Sequence, residues 1–141
     1  PELRLTLLDS LGKRMRWLEQ TLPALGVEAQ TVTARAEEYV AGCREQFDIA
    51  TSRAVARLNI LAELCLPYVK PGGYFLAMKG AMAQEETDEA ARAIRRLGGT
   101  IEQIAEYPIA DAVHKVVVVR KAAPTPSAYP RPFAKIKKAP L

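Results

Sequence analysis

The ten residues Leu5-Thr6-Leu7-Leu8-Asp9-Ser10-Leu11-Gly12-Lys13-Arg14 constrain the fold more than any other stretch of the chain. They join a short apolar run, a single acid and the start of a helix. The apolar run shows no helical period, so it reads as a parallel strand covered on both faces. The carboxyl end of such a strand is the edge at which open α/β sheets bind ligands. Asp9 stands at that end, where its carboxylate suits two tasks. It can accept hydrogen bonds from the hydroxyls of a bound ribose, or it can cap the following helix, a place that Asp and Ser both favour. These ten residues leave both readings open.

Strand and helix signals then alternate along the chain. Leu11, Met15, Leu18, Leu22 and Leu25 recur at threes and fours, which predicts a helix over 11–25 ended by Gly26. A strand over 27–33, a short turn near 34–39 and a strand over 47–51 follow. A helix over 58–69 stops before Pro71, and Gly72-Gly73 turns the chain into a strand over 74–78. The helix over 83–97 carries Glu85, Glu86, Asp88 and Glu89 near its start and Arg92, Arg95 and Arg96 near its end, matching the helix dipole. A fifth strand over 100–107 and the β-branched run Val116-Val117-Val118-Val119 complete the set. Strands separated by helices build a parallel sheet with helices on its faces. Only Pro108 to His114 separates the last two strands, so one of them can be antiparallel.

The chain has 141 residues, 49% of them apolar, enough for one domain with a core. It contains no apolar run of membrane-spanning length and no secretory pattern at Pro1-Glu2-Leu3-Arg4. Cys43 and Cys65 have no metal-ligand spacing and read as small buried thiols of a reducing, cytoplasmic protein. The net charge of +4 is unevenly placed. Residues 120–141 carry Arg120, Lys121, Arg131, Lys135, Lys137 and Lys138 and no acid, so that segment is +6 and the rest of the chain −2. This asymmetry suggests a polyanionic partner or a solvated tail. The expected organisation is a Rossmann-like domain over 1–123 and an aperiodic Pro- and Lys-rich tail over 124–141.

The motifs Leu7-Leu8-Asp9-Ser10-Leu11-Gly12-Lys13-Arg14, Arg35-Ala36-Glu37-Glu38, Thr51-Ser52-Arg53-Ala54-Val55-Ala56, Leu64-Cys65-Leu66-Pro67, Lys70-Pro71-Gly72-Gly73 and Leu76-Ala77-Met78-Lys79-Gly80 occur in this order. Pro124-Thr125-Pro126 and Tyr129-Pro130-Arg131 follow. As an ordered set they resemble the ribosomal small-subunit methyltransferase G family, also called glucose-inhibited division protein B, over nearly the whole length. The resemblance implies a class I methyltransferase fold, S-adenosylmethionine as methyl donor and N7 of a guanine in 16S rRNA of the small ribosomal subunit as acceptor. It also places a glycine-rich loop, after a first strand, just upstream of Pro1. None of the eight glycines forms a Gly-x-Gly, so the chain is expected to be the C-terminal portion of such a protein. The expected sheet is incomplete, Leu3–Leu8 lacks its usual neighbour, and the chain taken alone is of doubtful catalytic competence.

The resemblance also implies residue roles, each beside a plainer one. Asp9 would hold the cofactor ribose. Ala36 and Glu37 would frame the adenine, or simply start a helix. Arg53 would reach the cofactor carboxylate or an rRNA phosphate, or form a surface salt bridge. Lys79 would contact RNA phosphate, or remain a solvated lysine. His114 is the only histidine and is read as an RNA contact or a structural residue, not a base, because guanine N7 carries no proton and needs only alignment with the methyl group. Arg131 and Lys135, with Tyr129 and Phe133 beside them, would track phosphates and stack on bases. Trp17 is read as packing. The third strand lacks the Asp/Asn-Pro-Pro-aromatic ending used for exocyclic amines, consistent with a ring-nitrogen target. Two other readings stand beside this one: a non-catalytic RNA- or ribosome-binding module, and another nucleotide enzyme, whose dinucleotide fingerprint is absent.

Overall fold

The computed structural model describes residues 2–53, 56–110 and 112–141. The chain forms two compact units, residues 1–41 and 42–141. In the first, β1 (Leu5–Asp9) leads through α1 (Gly12–Ala24) to β2 (Ala29–Thr33), and α2 (Ala36–Tyr39) follows. β1 and β2 pair in parallel, with Leu5 opposite Ala29 and Asp9 opposite Thr33. The stop of α1 is set by Gly26, whose φ of +68° suits a residue without Cβ. There the Val27 N–H reaches Leu22 O and the Gly26 N–H reaches Pro23 O, both at 3.0 Å. Met15 is buried, but Trp17 is 60% exposed. Two positions from Met15, Trp17 falls on the far side of the helix, which corrects its reading as a packing residue.

The second unit contains β3 (Phe47–Ser52), α3 (Leu58–Cys65), β4 (Val69–Lys79), α4 (Ala83–Arg96), β5 (Gly99–Ile109), β6 (Ala112–Lys121) and α5 (Phe133–Lys138). Its sheet has the order β3-β4-β6-β5, with β3 and β4 parallel and β6 antiparallel to both its neighbours. The expected mostly parallel sheet with one reversed strand is therefore present, divided into a two-stranded and a four-stranded sheet. The helix after β3 is shorter than its periodicity suggests. Leu66–Tyr68 tighten into a 3₁₀ turn and Val69 already pairs with Phe47. Lys70 to Gly73 then bulge out before Tyr74 pairs with Ile49. β5 and β6 are longer than expected, extending to Ile109 and starting from Ala112; Asp111 of the Pro108–His114 connection lies outside the described residues.

The core lies between α3, α4 and the sheet. Leu58, Leu61, Ala62 and Leu66 meet Ala90, Ile94 and Leu97 over Phe75, Ala77, Val117 and Val119. In β6 Val117 and Val119 are buried while Val116 and Val118 are only half-buried, the period-two pattern of a sheet with one dry face.

Residues 124–141, expected as an aperiodic tail, are built into this unit. Thr125, Tyr129 and Ile136 are buried. The Thr125 hydroxyl donates to Leu97 O at 2.7 Å, and the Arg44 guanidinium donates to the carbonyls of Thr125, Pro126 and Tyr129 at 2.8, 3.0 and 2.6 Å. The compact-unit boundary falls after Ala41 rather than after Ala123.

Candidate functional site

In the first unit the parallel pairing of β1 and β2 brings two of the expected positions to one edge. Asp9 ends β1 opposite Thr33, and its carbonyl accepts from the Ala34 N–H at 3.1 Å, so Ala36 and Glu37 follow within three residues on the same carboxyl edge. Asp9 Oδ1 accepts from the Leu11 N–H at 2.8 Å, and Oδ2 accepts from the Arg14 guanidinium. The Leu11 N–H, with the Arg14 guanidinium adding to it, holds this carboxyl below the usual carboxylate range against the opposing effect of burial. The helix-entry role is thus real, since the i to i+2 bond fixes the turn into α1. Each carboxylate oxygen still has a second lone pair, and the side chain is 25% exposed. The geometry therefore admits both tasks read from the sequence. Glu37 is nearly buried in the first turn of α2, with Arg35 Nη1 at 3.8 Å.

In the second unit Arg53 and Lys79 end or follow the parallel strands β3 and β4, on that unit's carboxyl edge. Arg53 is exposed, and no hydrogen bond or ion pair engages it among the described residues. Ala54 and Val55 of its motif lie outside those residues. Lys79 departs from its expected role. Its side chain is 6% exposed, and Nζ donates to Glu86 at 2.7 Å and to Ala56 O at 2.7 Å. Glu86 also accepts from the Leu58 N–H at 2.8 Å, so one carboxylate fixes Lys79 and the start of α3 together. An ammonium held this way is a fold element and is not presented to phosphate.

Arg131 is corrected in the same sense. Its backbone N–H, Nε and Nη2 all donate to Glu63, at 2.9, 2.9 and 2.7 Å, and Glu63 is wholly buried. Lys121 is buried too, with Nζ donating to Glu45, Leu66 O and Val69 O at 3.0, 2.7 and 2.9 Å. Much of the C-terminal positive charge is therefore consumed inside the fold. Lys135 is exposed on α5, without an ion pair among the described residues. His114 stacks on Tyr107 across the β5–β6 pair, ring centroids 5.8 Å apart. Sequence reasoning missed Glu45, Glu63, Glu86 and Arg44. Apart from Lys79, seven residues before Glu86, their partners lie 28 to 85 residues away, and no local pattern marks them.

Among the described residues no cluster of His, Cys, Asp or Glu could hold a metal ion, and no helix is long and apolar enough to cross a membrane.

These elements define an α/β fold of Rossmann-like arrangement, one that solved methyltransferases share. It resembles an rRNA methylase from Streptococcus thermophilus at a TM-score of 0.59 and 18% identity, covering 85% of this chain and 74% of the other. It resembles a 16S rRNA (adenine(1408)-N(1))-methyltransferase variant from Catenulisporales acidiphilia at a TM-score of 0.66 and 13% identity, covering 84% and 74%.

Within that class the chain belongs to the rRNA small subunit methyltransferase G family, whose pattern it matches over residues 1–111. It is 42% identical over 145 residues to ribosomal RNA small subunit methyltransferase G of Clostridium tetani and 45% identical over 145 residues to that of Clostridium beijerinckii. It spans 99% of its own length but 61% of each relative's in both comparisons.

Proposed function

We propose that the protein serves S-adenosylmethionine-dependent methylation of guanine N7 in 16S rRNA of the small ribosomal subunit, in the cytoplasm. The observation that carries this reading is Asp9: an ionised carboxylate with spare lone pairs at the carboxyl end of a parallel strand, within a chain of this family. The donor set fits the ribose end of the cofactor. Asp9 accepts from its hydroxyls, and Ala36 and Glu37 frame the adenine. Arg53, exposed in the second unit, offers paired donors to an rRNA phosphate. When bound, the cofactor supplies an electrophilic methyl group. Guanine N7 presents an in-plane lone pair, so the protein's task is alignment, and no side chain needs to remove a proton. His114 and Lys135 remain as RNA contacts in this reading. The chain contains no Gly-x-Gly for the methionine end of the cofactor, which gives the alternative, a non-catalytic RNA-binding module, its place in the test.

The test is calorimetric titration of the folded 141-residue chain with S-adenosylmethionine, repeated with Asp9→Ala. Binding is expected, weakened at least about tenfold by the substitution, since hydrogen bonds to a charged group are worth about 1.5–3 kcal/mol. A folded chain that binds no cofactor but retains RNA affinity would favour the alternative.

A further inference from the structure

Once the internal ion pairs are subtracted, the remaining cations of the second unit are concentrated. Arg57, Lys70, Lys79, Lys115, Arg120, Lys121 and Arg131 each have a carboxylate partner. Eight others have none among the described residues: Arg44 donates to backbone carbonyls, Arg53 stands by itself at the carboxyl edge, and the remaining six are Arg92, Arg95 and Arg96 on the last turns of α4, and Lys135, Lys137 and Lys138 on α5. All six are exposed. Arg92 and Arg96, one turn apart on one helix face, line a shallow groove whose other wall is Pro140 and Leu141. Lys138 ends α5 two residues before that wall, so the end of the lysine-bearing helix leads into the groove. Arg96 is held over the buried Tyr129 ring at 5.6 Å from its centroid, which fixes one guanidinium in place. Asp88, one turn before Arg92, accepts from Gln84 at 3.0 Å and forms no ion pair with it.

Topology puts this patch away from the ligand edge. α4 leaves the carboxyl end of β4 and runs 14 residues, about 21 Å, back to the amino end of β5, which is parallel to β4. Its arginines therefore sit at the opposite edge of the sheet from Arg53. We infer that these six residues form a second, sequence-independent contact for the RNA phosphate backbone, away from the methylated nucleotide. The inference rests on the RNA-modifying reading above and adds where the remainder of the RNA is held. An acidic protein surface would meet the same charge, but an RNA substrate brings phosphates at regular spacing to both edges of the sheet. The Arg92–Arg96 pair and the three lysines suit such a track.

The test uses the 141-residue chain and a fluorescein-labelled RNA stem–loop, with affinity read by anisotropy from about 50 to about 200 mM KCl. Lys135→Gln, Lys137→Gln and Lys138→Gln together should lower the slope of log affinity against log salt by about 2 to 3, because each lost phosphate contact removes about 0.7–0.9. The same loss of charge at Arg4, Lys13 and Arg16 in the first unit is the comparison and should change the slope less. Circular dichroism should be unchanged in both variants. An unchanged slope in the lysine variant, or equal changes in the two variants, overturns the patch while leaving the RNA-modifying reading intact. A wild-type chain that fails to bind the stem–loop, or any other RNA at low salt, overturns both. Unchanged cofactor affinity in the lysine variant keeps the two readings separable.

Discussion

Arg131 closes on Glu63 with three hydrogen bonds to a carboxylate that has no exposed surface. The pair ties the C-terminal segment to α3 across 68 residues of sequence. Removing one member of a buried pair strands the other. Glu63→Ala should cost about 2–4 kcal/mol by urea denaturation, somewhat below the full range for buried pairs because Arg131 keeps some solvent contact. The double variant with Arg131→Ala should be no less stable than Glu63→Ala alone. Independent, additive losses would show that the pair is not coupled.

Two glycines with the same backbone conformation should respond differently to alanine. Gly72 and Gly98 have φ of +89° and +88°. A Cβ at Gly72 meets nothing within 4 Å, whereas at Gly98 it would lie 2.2 Å from the Ala123 carbonyl oxygen. Gly72→Ala should therefore cost only the left-handed strain, about 1–2 kcal/mol. Gly98→Ala adds a backbone clash where the chain leaves β6, and should lower the urea midpoint further. Equal midpoints for the two variants would contradict this packing.

Glu45 sets part of the acid limit of the second unit. Burial raises its pKa, but the Thr125 N–H at 2.7 Å and the Lys121 ammonium at 3.0 Å outweigh that and hold it below 4.5. A carboxyl depressed by folding contributes stability above its unfolded pKa, and loses that contribution as pH falls through the folded value. The wild-type chain should thus be clearly more stable than Glu45→Gln at about pH 7, and the gap should narrow below about pH 4. Parallel stability profiles across this range would mean that Glu45 does not titrate with folding.

Cys65 should be inert. Burial pushes its thiol up to about 12, against a smaller opposing effect of the Ser52 hydroxyl. At pH 8 only about one molecule in 10⁴ would carry the thiolate that reacts. Iodoacetamide followed by mass spectrometry should leave Cys65 unmodified in the folded chain and alkylate it in urea. Rapid alkylation of the folded chain would show an open site.

Much of the candidate site is legible from local pattern. Asp9 follows an apolar run and precedes a helix, so its place at a strand's carboxyl end needs no distant information, and the same holds for Arg53 after β3. Lys79 and Arg131 show the limit of that reasoning. Both carry charge at positions that look solvent-facing in sequence, yet each is claimed by a glutamate on another element. The +6 of the last 22 residues looks like a free polyanion-binding tail. Arg120, Lys121 and Arg131 are paired within the fold, and Lys135, Lys137 and Lys138 stay exposed on α5.

The sequence by itself determined the alternation of strands and helices, the reversed strand among parallel ones, the acid at the first strand's end and the family. These follow from periodicity, turn residues and ordered motifs, all short-range in the chain. Only the tertiary structure decided which charges are spent on the fold and which face outward. It also decided that residues 124–141 are packed rather than loose, and that the strands divide into two sheets. A buried charge must find its counter-charge wherever the fold brings one, so pairings such as Glu63–Arg131 are set by packing and leave no mark on local sequence.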